Sequence, residues 1–469
     1  MRSGRLLLAA VCGFSLTAAV AADQKPADKA NCAEPWRELT VSPRAIETPL
    51  MKYRLFPAEY ELRDGNAAPI LLRLPWERTK YFAEVVPKFS EYLDVPLNSP
   101  KLRGQEVFSL FPHLKRAAYR KTADWQYPIG EEPLAEILLP DIQGARSIVG
   151  NGLSVWIRQR LAEGNLARAR EGILVGLAVT RHYARTPFVI TQLVCVAVDS
   201  MLMSRVAELV SQPDSPNLYW ALTQLPRPLV DLRPSIEMQA RFLEKTVPGL
   251  DDLEQIKTPT DWNRSALAVI RYLRESDEDA RLVASGIGQA FEQVVQIARA
   301  ELPTRSQAGA ERVAAMSDGE VALRWLIDVN AELSDEMTAL ASLDPPIAIG
   351  RLKALQKRVA EFHTVLGAHK ANLVIAPANS YFAVHKIERE IDALRVVEAL
   401  RDYAAAHHAR LPETLDKITD VPVPNDPFTG KPFHYELTDG VATLSAEGAA
   451  VLDRDQERAC IRYHIRVRN

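Results

Sequence analysis

The sequence predicts a mainly α protein, in which a multi-helix antiparallel α domain is followed by a small α+β module, one long helix on a short antiparallel sheet. Three observations predict it. Residues 188–210 contain no Gly or Pro and are apolar on most sides, enough for one rod of roughly 35 Å at 1.5 Å per residue. Apolar residues at steps of three or four recur from about residue 78 to residue 377. The C-terminal residues alternate instead: Ile461, Tyr463, Ile465 and Val467 against Arg462, His464, Arg466 and Arg468, a period-two strand with one wet, basic face.

The chain has 469 residues, 47% hydrophobic and 25% charged, which is an ordinary globular composition and excludes a disordered or fibrous one. Arg2 and Arg5 precede the apolar run 6–20, too short to span a bilayer comfortably, and Ala21-Ala22-Asp23 follows. Residues 1–22 therefore read as a signal peptide, cleaved after Ala21 or Ala22, and the mature protein is expected to be exported, periplasmic or secreted, with no membrane span. Loss of Arg2 and Arg5 takes the formal charge from −3 to −5. That mild acidity and the lack of a dense basic run exclude a nucleic-acid partner.

Residues 23–77 read as an extended arm packing on the helical domain, with Asp64-Gly65-Asn66 as a turn. The all-α domain is assigned to 78–377. Within 141–163, Ile142, Ala145, Val149, Leu153 and Trp156 share a face, but Gly144, Gly150 and Gly152 weaken the intrinsic propensity, so packing must hold this helix or it must break there. Gly164-Asn165 reverses the chain into a helix over 166–185. This hairpin resembles a tetratricopeptide unit, with no second copy at the expected spacing of roughly 34 residues. The rod 188–210 packs back on it; Asp199 near its middle argues against lipid surroundings, because a carboxylate at bilayer depth is expensive. Pro226, Pro228 and Pro234 stiffen the connector that follows. Further helices are predicted at 234–248, 264–275, 277–302, 318–342 and 350–373, with a loop at 303–312.

Residues 378–469 form the module. Lys386–His408 reads as a charged amphipathic helix with Ile387, Ile391, Leu394, Val397, Leu400 and Ala404 on one face, followed by a helical turn at 411–415. Strands at 433–437 and 441–445 flank the turn Thr438-Asp439-Gly440. The apolar stripe of the helix and the apolar face of the sheet are buried against each other.

The stretch RVVEALRDYAAAHHARLPETLDKITDVPVPNDPFTGKPFHYELTDG resembles the globular half of type II secretion pseudopilins, whose Leu-Pro-x-x-Leu turn and Asp-Pro-Phe-x-Gly-Lys-Pro-Phe-x-Tyr hairpin entry match positions between Ala399 and Tyr435. The helix before it is internal and carries Glu388, Arg389, Glu390, Asp392 and Arg395, unlike the apolar helix that joins such subunits into a fibre. Through GNAAP (65–69), DWQYP (124–128), PNLYWALTQLPRP (216–228) and EVALRWLIDVNAELSDEM (320–337), nearly the whole chain is similar to an uncharacterised exported family common in planctomycete bacteria. That resemblance implies export and fold and names no chemistry.

Asp199 in an apolar helix needs a donor or a cation; His182, Arg227 and Arg233 are within reach along the chain. One reading gathers Asp199, Arg227, Asp231 and Arg233 into a polar pocket beside Tyr219 and Trp220; the other makes them a structural pair that sets helix register. Cys32 and Cys460 lie near opposite ends and either bridge or stay as two thiols, while Cys195 inside the rod reads as a small buried hydrophobe. Glu361 with His363 and His369, or His407-His408, has no diagnostic metal spacing. Asn425-Asp426 with Thr429 offers oxygen ligands to calcium or simply caps a turn. Glu275-Ser276 weakly echoes the catalytic Glu of transglycosylases, but the acidic residues after it oppose the desolvation a general acid requires. No P-loop, dinucleotide fingerprint or GxSxG occurs, so no cofactor is expected. The expectation is a non-catalytic scaffold or binding protein of the cell envelope with a protein or glycan partner; the alternative is an envelope hydrolase acting on cell wall or peptide through an unrecognised carboxylate site.

Overall fold

Helices dominate a computed structural model of the chain, which describes residues 35–77, 83–104, 106–128, 144–240, 250, 252–274, 286–305, 309–367, 377–446 and 460–468. The leader, Cys32, Glu275-Ser276 and His369 lie outside these residues.

The rod is α5 (Val189–Val210), and it is sheathed by helices. Before it run a π-helical segment (Ala145–Gly152), α3 (Leu153–Ala162) and α4 (Leu166–Ala184). All three pack on α5. Of the glycines predicted to weaken the start of this run, Gly150 and Gly152 lie in the π-wound segment and Gly144 just before it. A Cβ on Gly152 would meet the Phe108 and Phe89 rings at 2.6 and 2.8 Å, so only hydrogen fits there. Gly164 makes the α3–α4 turn at φ +76, which L residues avoid, and the Asn165 side chain caps α4 through the Arg168 N–H.

Upstream lie β1 (Arg37–Val41), β2 (Arg63–Asn66), α1 (Ala68–Glu77), α2 (Phe111–Ala118) and β3 (Arg120–Thr122). The expected turn at Asp64-Gly65-Asn66 is instead part of β2, which pairs in parallel with β3. The range expected to be all-α thus carries a short strand, held where the Arg120 guanidinium donates to the Asp64 carbonyl oxygen at 2.7 Å.

Downstream come α6 (Tyr219–Thr223), α7 (Arg233–Ala240), α8 (Pro259–Arg274), α9 (Ile287–Arg305), α10 (Gly309–Ala315), α11 (Asp318–Leu340) and α12 (Pro345–Val365). The loop expected over 303–312 is largely helical. α9 runs through Pro303 to Arg305, and α10 begins at Gly309. α12 starts at Pro345 rather than at residue 350, because a proline needs no N–H partner in the first turn of a helix.

Next is α13 (Pro377–Ala406), which begins nine residues before its expected start. β4 (His434–Thr438), β5 (Val441–Ala446) and β6 (Ile461–Val467) complete the chain. Asp439 at φ +50 and Gly440 at φ +75 form the two-residue hairpin turn between β4 and β5, while the helical turn expected at 411–415 falls at Leu415–Lys417. The sheet has the order β1-β6-β5-β4. It is therefore mixed: β4, β5 and β6 are antiparallel, and β1 adds in parallel along β6 with Leu39 opposite Ile465. The range expected to be an extended arm ends in the helix α1, meets the helices where Asn217 donates to the Arg44 carbonyl oxygen and Arg170 to that of Arg54, and supplies an edge strand to the C-terminal sheet. Ala442, Leu444, Tyr463 and Ile465 are buried on the inner face of that sheet. α13 lies between β6 on one side and α5, α6 and α12 on the other, so one core runs through both parts of the chain.

Candidate functional site

α13 gathers the charged groups of the interior. Sequence periodicity gave it one apolar stripe and a wet face; the structure wraps it on nearly all sides. Ala393, Val396 and Ala399, which lie off that stripe, are fully buried, and so are Arg389, Glu398 and Arg401. A charge taken out of water must be paired or coordinated, and each of these is.

The Arg389 guanidinium forks onto both carboxylate oxygens of Asp426, at 2.7 Å each, and lies 4.3 Å from the Phe428 ring centroid. Asp426 also accepts the Phe428 N–H and the Thr429 hydroxyl, so its oxygens are committed and the calcium reading fails. About three turns further along α13, Arg401 binds Glu398 at 2.8 Å and donates to the carbonyl oxygens of Ser42, Ser215 and Pro216. That single guanidinium ties the N-terminal arm, the end of the α5–α6 loop and α13 together. Burial pushes the Glu398 carboxyl up, and Arg401 opposes the shift. Asn217 adds a second tie, its amide donating to the carbonyl oxygens of Arg44 and Glu398.

The connector after α5 docks on the same helix. Arg227 bridges Glu388 and Asp392, the latter at 2.7 Å, and the Leu229 N–H donates to Glu388. Arg395 donates to Asp392, Thr223 and the Tyr219 hydroxyl. Tyr219 donates in turn to the Pro422 carbonyl oxygen and meets Trp220 edge-on at 5.3 Å. Glu390 accepts from Arg37 of β1 and Ser200 of α5.

The six residues expected to share one pocket thus fall into three places. Tyr219, Trp220 and Arg227 do sit together, on α13. Asp231 and Arg233 pair with each other, near the surface. Asp199 stands apart: it is 1% exposed, and its partner is the Thr180 hydroxyl of α4 at 2.5 Å. None of His182, Arg227 and Arg233 reaches it, because Arg227 is held by two carboxylates of α13. Burial, aided by the Glu388 charge, pushes the Asp199 carboxyl up to about 8. His182 is buried nearby on α4, and burial together with the Arg185 charge pushes it down to about 4.

Cys460 is disulfide-bonded and Cys195 is free and buried. Among the described residues no group of three or more His, Cys, Asp or Glu could hold a metal ion, and no helix is long and apolar enough to cross a membrane. His407 and His408 are exposed; His407 stacks on Tyr403 at 3.8 Å.

On the outer face of the sheet the basic side of β6 gains partners from β1 and from Trp36 just before it. Trp36 stacks on His464 at 4.2 Å and 5°, with Arg462 over its ring, and Glu38 binds both His464 and Arg466. Sequence reasoning found the wet face of β6 but missed Trp36 and Glu38, because a parallel partner more than 400 residues away has no local signal. It also missed Glu388, Arg389, Glu398 and Arg401 as interior groups. Their signal was present in the apolar residues lying off the expected stripe.

Fold and charges together define a mainly helical protein closed by a small mixed sheet, with a polar spine along the helix they share. The chain matches no protein-family model, no curated protein and no solved structure.

Proposed function

We propose that this is an exported, non-catalytic scaffold that binds a protein or glycan partner in the cell envelope. The observation that carries the reading is the use to which α13 puts its carboxylates. Glu388, Glu390, Asp392, Glu398 and, across from them, Asp426 are each spent on an arginine from another element or turn. A general acid or base must reach substrate with a proton to exchange, and these groups are staples. Asp199 has the raised pKa of a catalytic acid but lies sealed between helices. The leader-like first residues and the Cys460 disulfide suit an oxidising compartment outside the cytoplasm.

The binding face proposed is the outer side of the sheet, where Trp36, Arg462, His464, Glu38 and Arg466 present aromatic and charged groups on rigid strands. Co-sedimentation with purified peptidoglycan, and crosslinking in envelope fractions, test it with wild type and the Trp36→Ala/Arg462→Ala double variant. Retention or a crosslinked partner that is lost in the variant supports the reading. Turnover of cell-wall fragments or peptides by the purified protein would favour the hydrolase instead.

A further inference from the structure

Asp199 sits near the middle of α5 with one carboxyl oxygen 2.5 Å from the Thr180 hydroxyl, which also lies 3.1 and 3.0 Å from the carbonyl oxygens of Gly176 and Leu177. Thr180 has one proton and three acceptors around it. The charges on the elements packed against α5 are spoken for or face water. α13 presents Glu388, bound by Arg227, and Glu390, bound by Arg37. α3 presents Arg158, bound to Glu208 of α5 itself. α7 carries Arg233, paired with Asp231, and the exposed Glu237; Arg146 of the π-helical segment is also exposed. On α4, Arg181 lies over the Phe56 ring, Arg185 donates to the Lys121 carbonyl oxygen, and His182 is buried without charge at neutral pH. Among the described residues no cation pairs with Asp199, so an ionised carboxylate there would be a bare charge in apolar packing. A proton on the carboxyl completes the arrangement: Asp199 donates to the Thr180 oxygen, and Thr180 donates to a backbone carbonyl one turn back.

We propose that Asp199 is held as a neutral carboxylic acid that latches α4 to α5, and that its ionisation in alkaline medium loosens this helix pair. The pKa pushed up to about 8 from an ordinary 3.8 agrees with that geometry. Its sign follows from linkage. Between these two values the folded protein keeps a proton that the unfolded chain has released, so the contribution is complete below pH 3.8, is lost as pH rises, and levels off above about 8. Across that window the folding equilibrium constant falls about tenfold per pH unit on account of this group.

Asp199→Asn keeps the shape and cannot ionise. Denaturant unfolding from pH 4 to 9 should show wild type and variant alike at the acid end, with the variant gaining about tenfold per unit up to pH 8. Parallel pH profiles, or a variant weaker than wild type at neutral pH, overturn the proposal. Should the variant not fold, infrared spectra of wild type and Thr180→Val supply the readout. A protonated-carboxyl band at pH 6 that shifts without the Thr180 hydroxyl and vanishes above about pH 8 supports the latch, and its absence from wild type at pH 6 overturns it.

Discussion

At the scale of the residue, the interior of this protein is governed by the cost of dehydrating charge. Arg389 and Asp426 show it best: their side chains are 0% and 4% exposed, and each satisfies the other through a bidentate fork. Arg389→Met should therefore destabilise the fold by about 3–5 kcal/mol, because it leaves Asp426 buried without its cation. Arg389→Met with Asp426→Leu should recover part of that loss, and equilibrium denaturation of the three variants checks both. The histidines make a second residue-level prediction. His182 and His385 are both pushed down to about 4 by burial, from an ordinary 6.5. The folded state then binds fewer protons than the unfolded chain below pH 6.5, so stability is present above 6.5 and drains away as pH falls through 4. Each ring accounts for about 1.4 kcal/mol per pH unit in that window. The His182→Gln/His385→Gln variant should show a flatter acid limb in a thermal melt series.

At the scale of the element, close approach decides where helices bend and cross. The π-helical segment ends at Gly152, whose missing side chain leaves room for the Phe89 and Phe108 rings. Gly152→Ala should overpack this contact and cost about 1–3 kcal/mol, although alanine is the better helix former on an isolated chain. A rise in melting temperature would show that propensity outweighs packing here. The same balance explains α13. Its charges suggested a solvated face because Glu, Arg and Asp are seldom buried; here they find partners on approaching elements or one turn along the helix, which is enclosed on nearly all sides. The apolar residues off the stripe were legible in the sequence. The partners were not, since Arg227, Asp426 and the carbonyl oxygens of Ser42 and Ser215 lie from 37 to 359 residues away.

At the scale of the whole molecule, the N-terminal strand and the shared helix make two sequence regions into one cooperative unit. β1 covers the edge of β6 and buries Leu39 and Val41. Deleting residues 1–41 should cost several kcal/mol, at about 1.5–3 kcal/mol for each buried aliphatic side chain, and should leave an open strand edge prone to association. Size-exclusion chromatography should find aggregates; an unchanged, equally stable monomer would count against this. Because α13 contacts both the sheet and α5, calorimetry should show a single transition with matching calorimetric and van't Hoff enthalpies, whereas separate domains would melt apart.

What the amino-acid order determined by itself is local. The unbroken apolar run of α5, the Gly164 reversal into α4, the Asp439-Gly440 hairpin and the alternation of β6 depend on residues a few positions apart, and all were readable. What only the tertiary structure decided is which charge meets which. Asp199 turned to Thr180 and not to an arginine, Arg227 went to α13, and a strand from the start of the chain closed the sheet at its end. Those choices follow from the free energy of removing charge and backbone from water, which depends on every group that surrounds a site and so has no value until the chain has folded.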